Sequence, residues 1–274
     1  MAYDHVAHFS SHAQYLRHER GRCHTRCALV VLAAVALLAT GCTTGVLGAA
    51  RPAISGLDAW VCNFAYMSQP GDTVAPVDLA ARRVEPSVRT GRLPSALAAL
   101  PGGHTLLVTD EAADNLVEID TATHEVVSSA RTGVEPDAVA IGGPGGDLAL
   151  VANLGSNTVT PIDLTDMKAG APIAVGVDPT GVAMSPPTGT SGAWVVGGSS
   201  LVPLNLTDLS VAAPIDVGGI AEAIAITPHG KNAWVALRNG RVVSVDLATG
   251  TAGRPLYVGG RPSAIAIPPL APHH

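Results

Sequence analysis

The chain has 274 residues, of which 47% are hydrophobic and only 14% are charged, and this apolar content excludes an intrinsically disordered protein. Its 30 glycines and 21 prolines are typical of many short strands joined by tight turns, and they argue against a helical bundle. The formal net charge is −6, so the chain has no basic surface that could neutralise a phosphate backbone, and we expect no nucleic-acid partner.

The segment 1–42 is predicted to be an export signal with a long N-terminal extension. An uncharged apolar stretch, ALVVLAAVALLAT at 28–40, follows four arginines. It is too short to span a bilayer, which takes about twenty residues, but it suits the apolar segment of a signal peptide. The sequence LATGC at 38–42 resembles a bacterial lipobox. That resemblance implies cleavage before Cys42 and a diacylglyceryl group on its thiol, whereas an ordinary cleaved signal would be cut near 48–50.

A repeat of about 42 residues organises the rest of the chain. One row of residues sets its register at intervals of 42, 43, 42 and 41: Asp78, Asp120, Asp163, Asn205 and Asp246. A second row keeps the same intervals: Pro94, Pro136, Pro179, Ala221 and Pro262. Each unit contains four short apolar runs separated by turn residues, and none has the length or period of a helix. Four short strands in a tandem repeat of this length predict a β-propeller blade.

The two ends of the repeat region are predicted to complement each other. Residues 58–91 supply the second, third and fourth strands of a blade, and the segment RPSAIAIPP at 261–269 supplies a first strand. Joining them in one composite blade would remove two exposed sheet edges. The alternative is an incomplete propeller that completes its ring with a partner, for which a free strand edge at Ala264–Ile267 would be the sign. We therefore expect an all-β fold, a five-bladed β-propeller of four-stranded antiparallel blades that one composite blade closes. The predicted domains are the signal at 1–42, a flexible tether at 43–55, the propeller at 56–270 and a tail at 271–274.

Three phrases are similar to the YVTN-type repeat of bacterial surface and periplasmic propellers: TVTPIDL at 158–164, AIAITPHGKNAWVAL at 223–237 and PLYVGGRPSAIAI at 255–267. The resemblance covers about 58–269. It implies a propeller whose first strands line a central channel, with ligands bound on the face that carries the loops between blades. The resemblance implies that lactonase-like propellers are among the relatives of this chain.

The repeated residues have structural interpretations. The Asp and Asn row follows the third strand of each unit, where the side chain can accept a hydrogen bond from a backbone N–H two residues on. The row Gly91, Gly133, Gly176, Gly218 and Gly259 ends each fourth strand, a place that favours positive φ. Trp60, Trp194 and Trp234 are assigned to equivalent second-strand positions, where they would pack between blades.

A candidate ligand site lies at the predicted mouth of the channel. Its core is acidic, because Asp137, Glu222, Glu135 and Asp178 fall in or beside the loops between blades. The hydroxyl-bearing residues Ser95, Thr180 and Ser263 share the row that follows the prolines. Such a cluster could hold a divalent cation or a cationic ligand, although polar loop residues are also expected simply because loops are hydrated. We expect no other cofactor.

Catalysis is the less favoured interpretation. A lactonase-like hydrolase would need a general base, for which Glu135, Asp137 and His229 are candidates, but His104 and His229 are predicted on the opposite face. We find no nucleophile elbow, HExxH pair or phosphate-binding loop, and we assign no catalytic residue. The sequence therefore favours a lipid-anchored propeller on the outer side of the cytoplasmic membrane, or a secreted one, that binds a small ligand or an envelope protein.

Overall fold

A computed structural model describes residues 64–68, 71–78, 81–143, 146–176, 178–186 and 192–267. All regular structure in these ranges is β-strand, arranged in five antiparallel sheets, so the predicted all-β propeller of four-stranded blades is confirmed. None of these residues forms a helix that could cross a bilayer. The predicted signal, lipidation site Cys42, tether and tail lie outside the described residues.

The sheets follow one another along the chain, and we number them blades 1 to 5. Blade 1 contains β1 (Phe64–Ser68), β2 (Thr73–Asp78), β3 (Arg83–Val84) and β4 (Val88–Arg89). Blade 2 contains β5 (Pro94–Ala99), β6 (Thr105–Asp110), β7 (Asn115–Asp120) and β8 (Glu125–Arg131). Blade 3 contains β9 (Pro136–Gly142), β10 (Leu148–Asn153), β11 (Thr158–Asp163), β12 (Lys168–Ala169) and β13 (Ile173–Ala174).

Blade 4 contains β14 (Pro179–Met184), β15 (Ala193–Gly197), β16 (Ser200–Leu204) and β17 (Ile215–Asp216). Blade 5 contains β18 (Ala221–Ile226), β19 (Asn232–Leu237), β20 (Arg241–Asp246), β21 (Thr251–Ala252) and β22 (Leu256–Tyr257). In blades 2 to 5 the strands pair in chain order from the inside outward. The outermost strand of blades 1, 3 and 5 is split into two short pieces that pair with the same neighbour.

The core lies between the blades, because strands with a two-residue period send alternate side chains to the two neighbouring sheets. In blade 4, Val195 packs towards blade 3, while Trp194 and Val196 pack towards blade 5. Four apolar clusters of this kind are found among the described residues, one at each junction between consecutive blades. The predicted packing role of Trp194 is confirmed, since its side chain is buried in the cluster between blades 4 and 5.

The Asp and Asn row caps turns, as the sequence predicts. Oδ1 of Asp120 accepts hydrogen bonds from the backbone N–H of Ala122 (2.7 Å) and of Thr123 (3.0 Å). The equivalent oxygens of Asp163, Asn205 and Asp246 accept from the residue two positions on, and that of Asp78 accepts from the residue three on. These side chains therefore stabilise the turns at the end of the third strands.

Glycine is needed at the positions of the glycine row for two different physical reasons. Gly176, Gly218 and Gly259 have φ of 110°, 75° and 81°, the positive values that were predicted. Gly91 and Gly133 lack a positive φ, but a Cβ on Gly91 would overlap Asp110, and a Cβ on Gly133 would overlap Ser156 and Asn153. At these two positions glycine is needed for space.

The composite blade differs from its expectation in one respect. The second, third and fourth strands of blade 1 are present, but residues 261–267 are assigned to no strand, and β1 pairs only with β2 among the described residues. A strand is assigned only where a neighbour supplies ladder hydrogen bonds, and no described strand pairs with 264–267. The register of β1 also corrects one assignment: Tyr66 lies opposite Pro76 just as Trp194 lies opposite Pro203. Tyr66 therefore holds the position that was assigned to Trp60, which lies outside the described residues.

Candidate functional site

One face of the propeller is formed by the loops that cross between blades together with the turns between second and third strands; we call it the loop face. Backbone hydrogen bonds join these elements, from the N–H of Glu111 to the oxygen of Leu93 (2.9 Å) and from Arg238 to Ile220 (2.8 Å). The opposite face carries the other turns, where the N–H of Thr121 donates to His104 (3.0 Å). The predicted division of the two faces is confirmed.

The hydroxyl groups of the predicted channel-mouth row bridge neighbouring blades. Oγ of Ser95 donates to the carbonyl oxygen of Pro136 at 2.7 Å, and Oγ1 of Thr180 donates to that of Ala221 at 3.1 Å. Both bonds connect residues 41 positions apart, at the start of consecutive inner strands. Ser95 is buried and also lies 2.8 Å from Oγ1 of Thr109. The repeat thus uses this position to tie inner strands together, while Ser263 is half-buried in 261–267.

Two of the predicted acidic residues, Glu135 and Asp178, lie in crossing loops with left-handed backbone. Their φ values are 54° and 50°, a conformation that costs energy for residues other than glycine. Side chains of the adjoining turns hold these backbones in place. Oδ1 of Asp114 accepts from the N–H of Glu135 (3.0 Å), and Oδ1 of Asn157 accepts from that of Asp178 (2.8 Å). The crossing loops are therefore fixed by specific hydrogen bonds.

Glu222 and Asp137 occupy the same register position in blades 5 and 3. Glu222 is buried, and its carboxylate accepts hydrogen bonds from Nε of Arg238 and, at 3.3 Å, from the guanidinium of Arg261. Two arginines thus offset its negative charge. Asp137 is half-buried on β9. Within the described ranges no group of three or more His, Cys, Asp or Glu side chains is placed to hold a metal, and the cation remains a prediction.

Exposed apolar side chains on the loop face form a feature that the sequence analysis missed. Leu93, Val134 and Ile220 lie in three crossing loops and are exposed. Their backbones are nonetheless fixed, since the N–H of Val134 donates to Oγ of Ser156 (3.2 Å) and its oxygen accepts from Gly155 (3.0 Å). The only signal in the sequence is an apolar residue one or two positions before the proline row. Apolar groups held out to solvent on rigid loops are a common feature of protein-binding surfaces.

Asp110 ends β6 at the loop face and is completely buried. Its Oδ1 accepts from Oγ1 of Thr90 at 2.9 Å, whereas its Oδ2 has no hydrogen-bond partner among the described residues. Burial raises the pKa of this carboxyl to about 6, against the opposing effect of the Thr90 hydrogen bond and with a smaller contribution from the charge of Asp72. A Cβ on Gly91 would overlap Oδ2, so the carboxyl is packed against the backbone and leaves no room for a ligand on that side.

No family model matches the chain, and no curated protein matches it. Among solved structures it is similar to hydrazine synthase of Kuenenia stuttgartiensis, with 22% identity and a TM-score of 0.56 over 60% of this chain and 48% of that one. It is also similar to dihydro-heme d1 dehydrogenase NirN in complex with DHE, with 16% identity and a TM-score of 0.61 over 79% of this chain and 48% of that one. The chain spans about half the length of these structures. Likeness at this identity shows the propeller fold and no more.

Proposed function

We propose that the protein is an exported, lipid-anchored β-propeller of the YVTN-repeat type that binds a protein of the cell envelope and acts there as a scaffold. The observation that carries the binding role is the exposure of Leu93, Val134 and Ile220 on hydrogen-bonded loops of one face. Because the loops are already ordered, a partner that buries these side chains loses little conformational entropy on binding. Apolar contacts of this kind favour a protein over a cation or a small polar ligand as the partner.

The anchor rests on the sequence of the N-terminal segment 1–42. An apolar segment of signal-peptide length followed by LATGC supports lipidation at Cys42. A diacylglyceryl group supplies two acyl chains, which is enough for stable membrane attachment. Residues 43–55 then form the tether that lets the propeller stand off the bilayer.

Site-specific photo-cross-linking in intact cells tests the binding role. A photoreactive amino acid replaces Leu93, which is 40% exposed on the loop face, or Val211, which is 39% exposed near the outer edge of blade 4 and serves as the matched control. We expect a discrete cross-linked product at Leu93, and at Ile220, that is absent at Val211. Equal labelling at all three positions, or none at any, would contradict the proposal.

The anchor is tested separately. Cells that express the chain are supplied with an alkyne-bearing fatty acid, and labelling is compared between the unaltered protein and Cys42→Ser. We expect label and membrane association for the former and neither for the latter. A labelled Cys42→Ser variant, or an unlabelled parent, would refute lipidation and favour the secreted alternative.

A further inference from the structure

The outer strand of blade 5 is apolar and exposed, whereas the equivalent residues of blades 3 and 4 are buried against the next blade. The residue just before the glycine row illustrates this. Val175 in blade 3 is 5% exposed and Val217 in blade 4 is 2% exposed, because each belongs to the apolar cluster that joins its blade to the next. Val258, the equivalent residue of blade 5, is 55% exposed, and its neighbours Leu256 and Tyr257 are exposed as well.

Residues 262–267 correspond in the repeat to an inner strand, but they are assigned to no strand, and no strand among the described residues pairs with them. In the repeat register they correspond to β18 and β14, which begin at Ala221 and Pro179. The contact of Arg261 with Glu222 at 3.3 Å places the start of this segment beside β18, the inner strand of blade 5. Among the described residues, nothing pairs with it as β19 pairs with β18.

Blade 1, in contrast, lacks an inner strand among the described residues. It has second, third and fourth strands, and among the described residues its innermost strand, β1, pairs only with β2. A propeller blade with an open inner edge and an inner strand without its blade are complementary in shape and in backbone hydrogen bonding. One junction would pair the inner edge of β1 with an inner strand and give residues 262–267 the rest of a blade. It would also cover the exposed outer strand of blade 5.

We propose that a second copy of this chain makes this junction head to tail, with residues 262–267 of one copy completing blade 1 of the other. A copy is the occupant that supplies both halves of the interface, because each chain carries one half at each end of its row of blades. Closure within one chain would use the same residues, but Leu256, Tyr257 and Val258 remain exposed although blade 1 belongs to the same molecule. Two head-to-tail junctions related by a two-fold axis would close a ring.

The repeat also gives the register of the new strand pair. In blade 5, Ala223 lies opposite Ala236 and Ala225 lies opposite Trp234. In blade 1, Ser68 and Tyr66 take the positions of Ala236 and Trp234, because Phe64 lies opposite Asp78 as Asn232 lies opposite Asp246. The interval that separates Ala221 from Pro262 also separates Ala223 from Ala264. We therefore expect Ala264 of one copy to lie opposite Ser68 of the other.

Disulfide trapping with the full-length chain tests this pairing. Two differently tagged copies are co-expressed, one with Ala264→Cys and the other with Ser68→Cys, both also carrying Cys62→Ser, and membranes are oxidised before non-reducing electrophoresis. We expect a species that contains both tags. The control combines Ser68→Cys with Thr251→Cys, an exposed residue in an outer strand, and should give none. Absence of the mixed species from the test pair, or its presence at equal yield in the control, would overturn the proposal.

A single chain that carries both Ala264→Cys and Ser68→Cys distinguishes the two modes of closure. Junctions between copies give disulfide-linked dimers, whereas closure within the chain gives an oxidised monomer of altered mobility. Monomer as the sole product would overturn the proposal.

A charge substitution provides a test without cysteines. Val258→Glu places a carboxylate in the proposed junction, while Val127→Glu does the same at a residue of β8 that is 56% exposed, matching the 55% of Val258. Both side chains face solvent in the single copy, so both variants should fold. We expect co-purification of the two tags to fall at least tenfold for Val258→Glu and to be unchanged for Val127→Glu. Equal co-purification for the two variants would refute the junction.

Discussion

The buried carboxyl of Asp110 predicts a stability that depends on pH, and replacing it by asparagine isolates the effect. The pKa of this group is raised from 3.8 to about 6 in the folded protein, so folding disfavours its charged form. The folded chain then keeps a proton between pH 4 and 6 that the unfolded chain has lost. The contribution of Asp110 to the free energy of unfolding therefore falls as pH rises through this window and is constant above it.

The magnitude follows from the shift in pKa. About two pKa units at 1.36 kcal/mol each give a penalty of about 3 kcal/mol at pH 8, and close to none at pH 3. An amide at this position removes the charge and can still accept from Oγ1 of Thr90. The equivalent residue of blade 3, Asn153, shows what the amide can gain: its Nδ2 donates to the oxygen of Thr158 (3.2 Å) and its Oδ1 accepts from Gly133 (3.1 Å).

Urea denaturation of the parent protein and of Asp110→Asn, at several pH values from 3 to 8, measures the difference directly. We expect Asp110→Asn to be more stable at pH 8 by up to about 3 kcal/mol, with the gain disappearing towards pH 3. Because other titrating groups are common to both proteins, they cancel in the difference. A difference that does not vary with pH, or a variant that is less stable at pH 8, would refute the reasoning.

Three further substitutions test the fold. Ser95→Ala should cost about 1–3 kcal/mol of unfolding free energy in urea denaturation, since it removes a buried bond between blades, whereas exposed Ser210→Ala should cost under about 0.5. In the same assay, Gly91→Ala should cost about 1–3 kcal/mol because its Cβ would overlap Oδ2 of Asp110, while Gly192→Ala, with 3.4 Å to the nearest atom, should be tolerated. The hydrogen bonds of Thr249 lower the pKa of Asp246, so Asp246→Asn should destabilise at pH 7 and the loss should vanish as pH falls below 4.

The periodic features of this fold could be predicted from the sequence because they depend on local chemistry that recurs. A carboxylate at the end of a third strand caps the turn that follows it, as Asp120 and Asp246 do. The division of the loops between two faces could be predicted in the same way, because in a four-stranded antiparallel unit the connections alternate between the two ends of the sheet. These arguments need no knowledge of which blades touch.

The features that the sequence analysis missed depend on contacts between different repeats. Burial of Asp110 comes from its position against Gly91 in the loop from the preceding blade, and no pattern within one unit shows this. The assignment of Trp60 failed because residue type was used as a guide to register, whereas strand pairing sets the register and places Tyr66 opposite Pro76. The lack of a described pairing between β1 and 264–267 likewise became visible only with the ladder pairings.

The row of residues that follows the prolines contains one departure from the repeat that concerns the segment 261–267. The row after the prolines uses Ser95 and Thr180 to donate hydrogen bonds between inner strands. Glu222 departs from this pattern, because its carboxyl oxygen accepts hydrogen bonds from Arg238 and Arg261. Arg261 opens the segment 261–267. Glu222 therefore replaces a hydrogen bond between inner strands by an ion pair that holds the start of this segment beside β18, a position that the proposed junction would use.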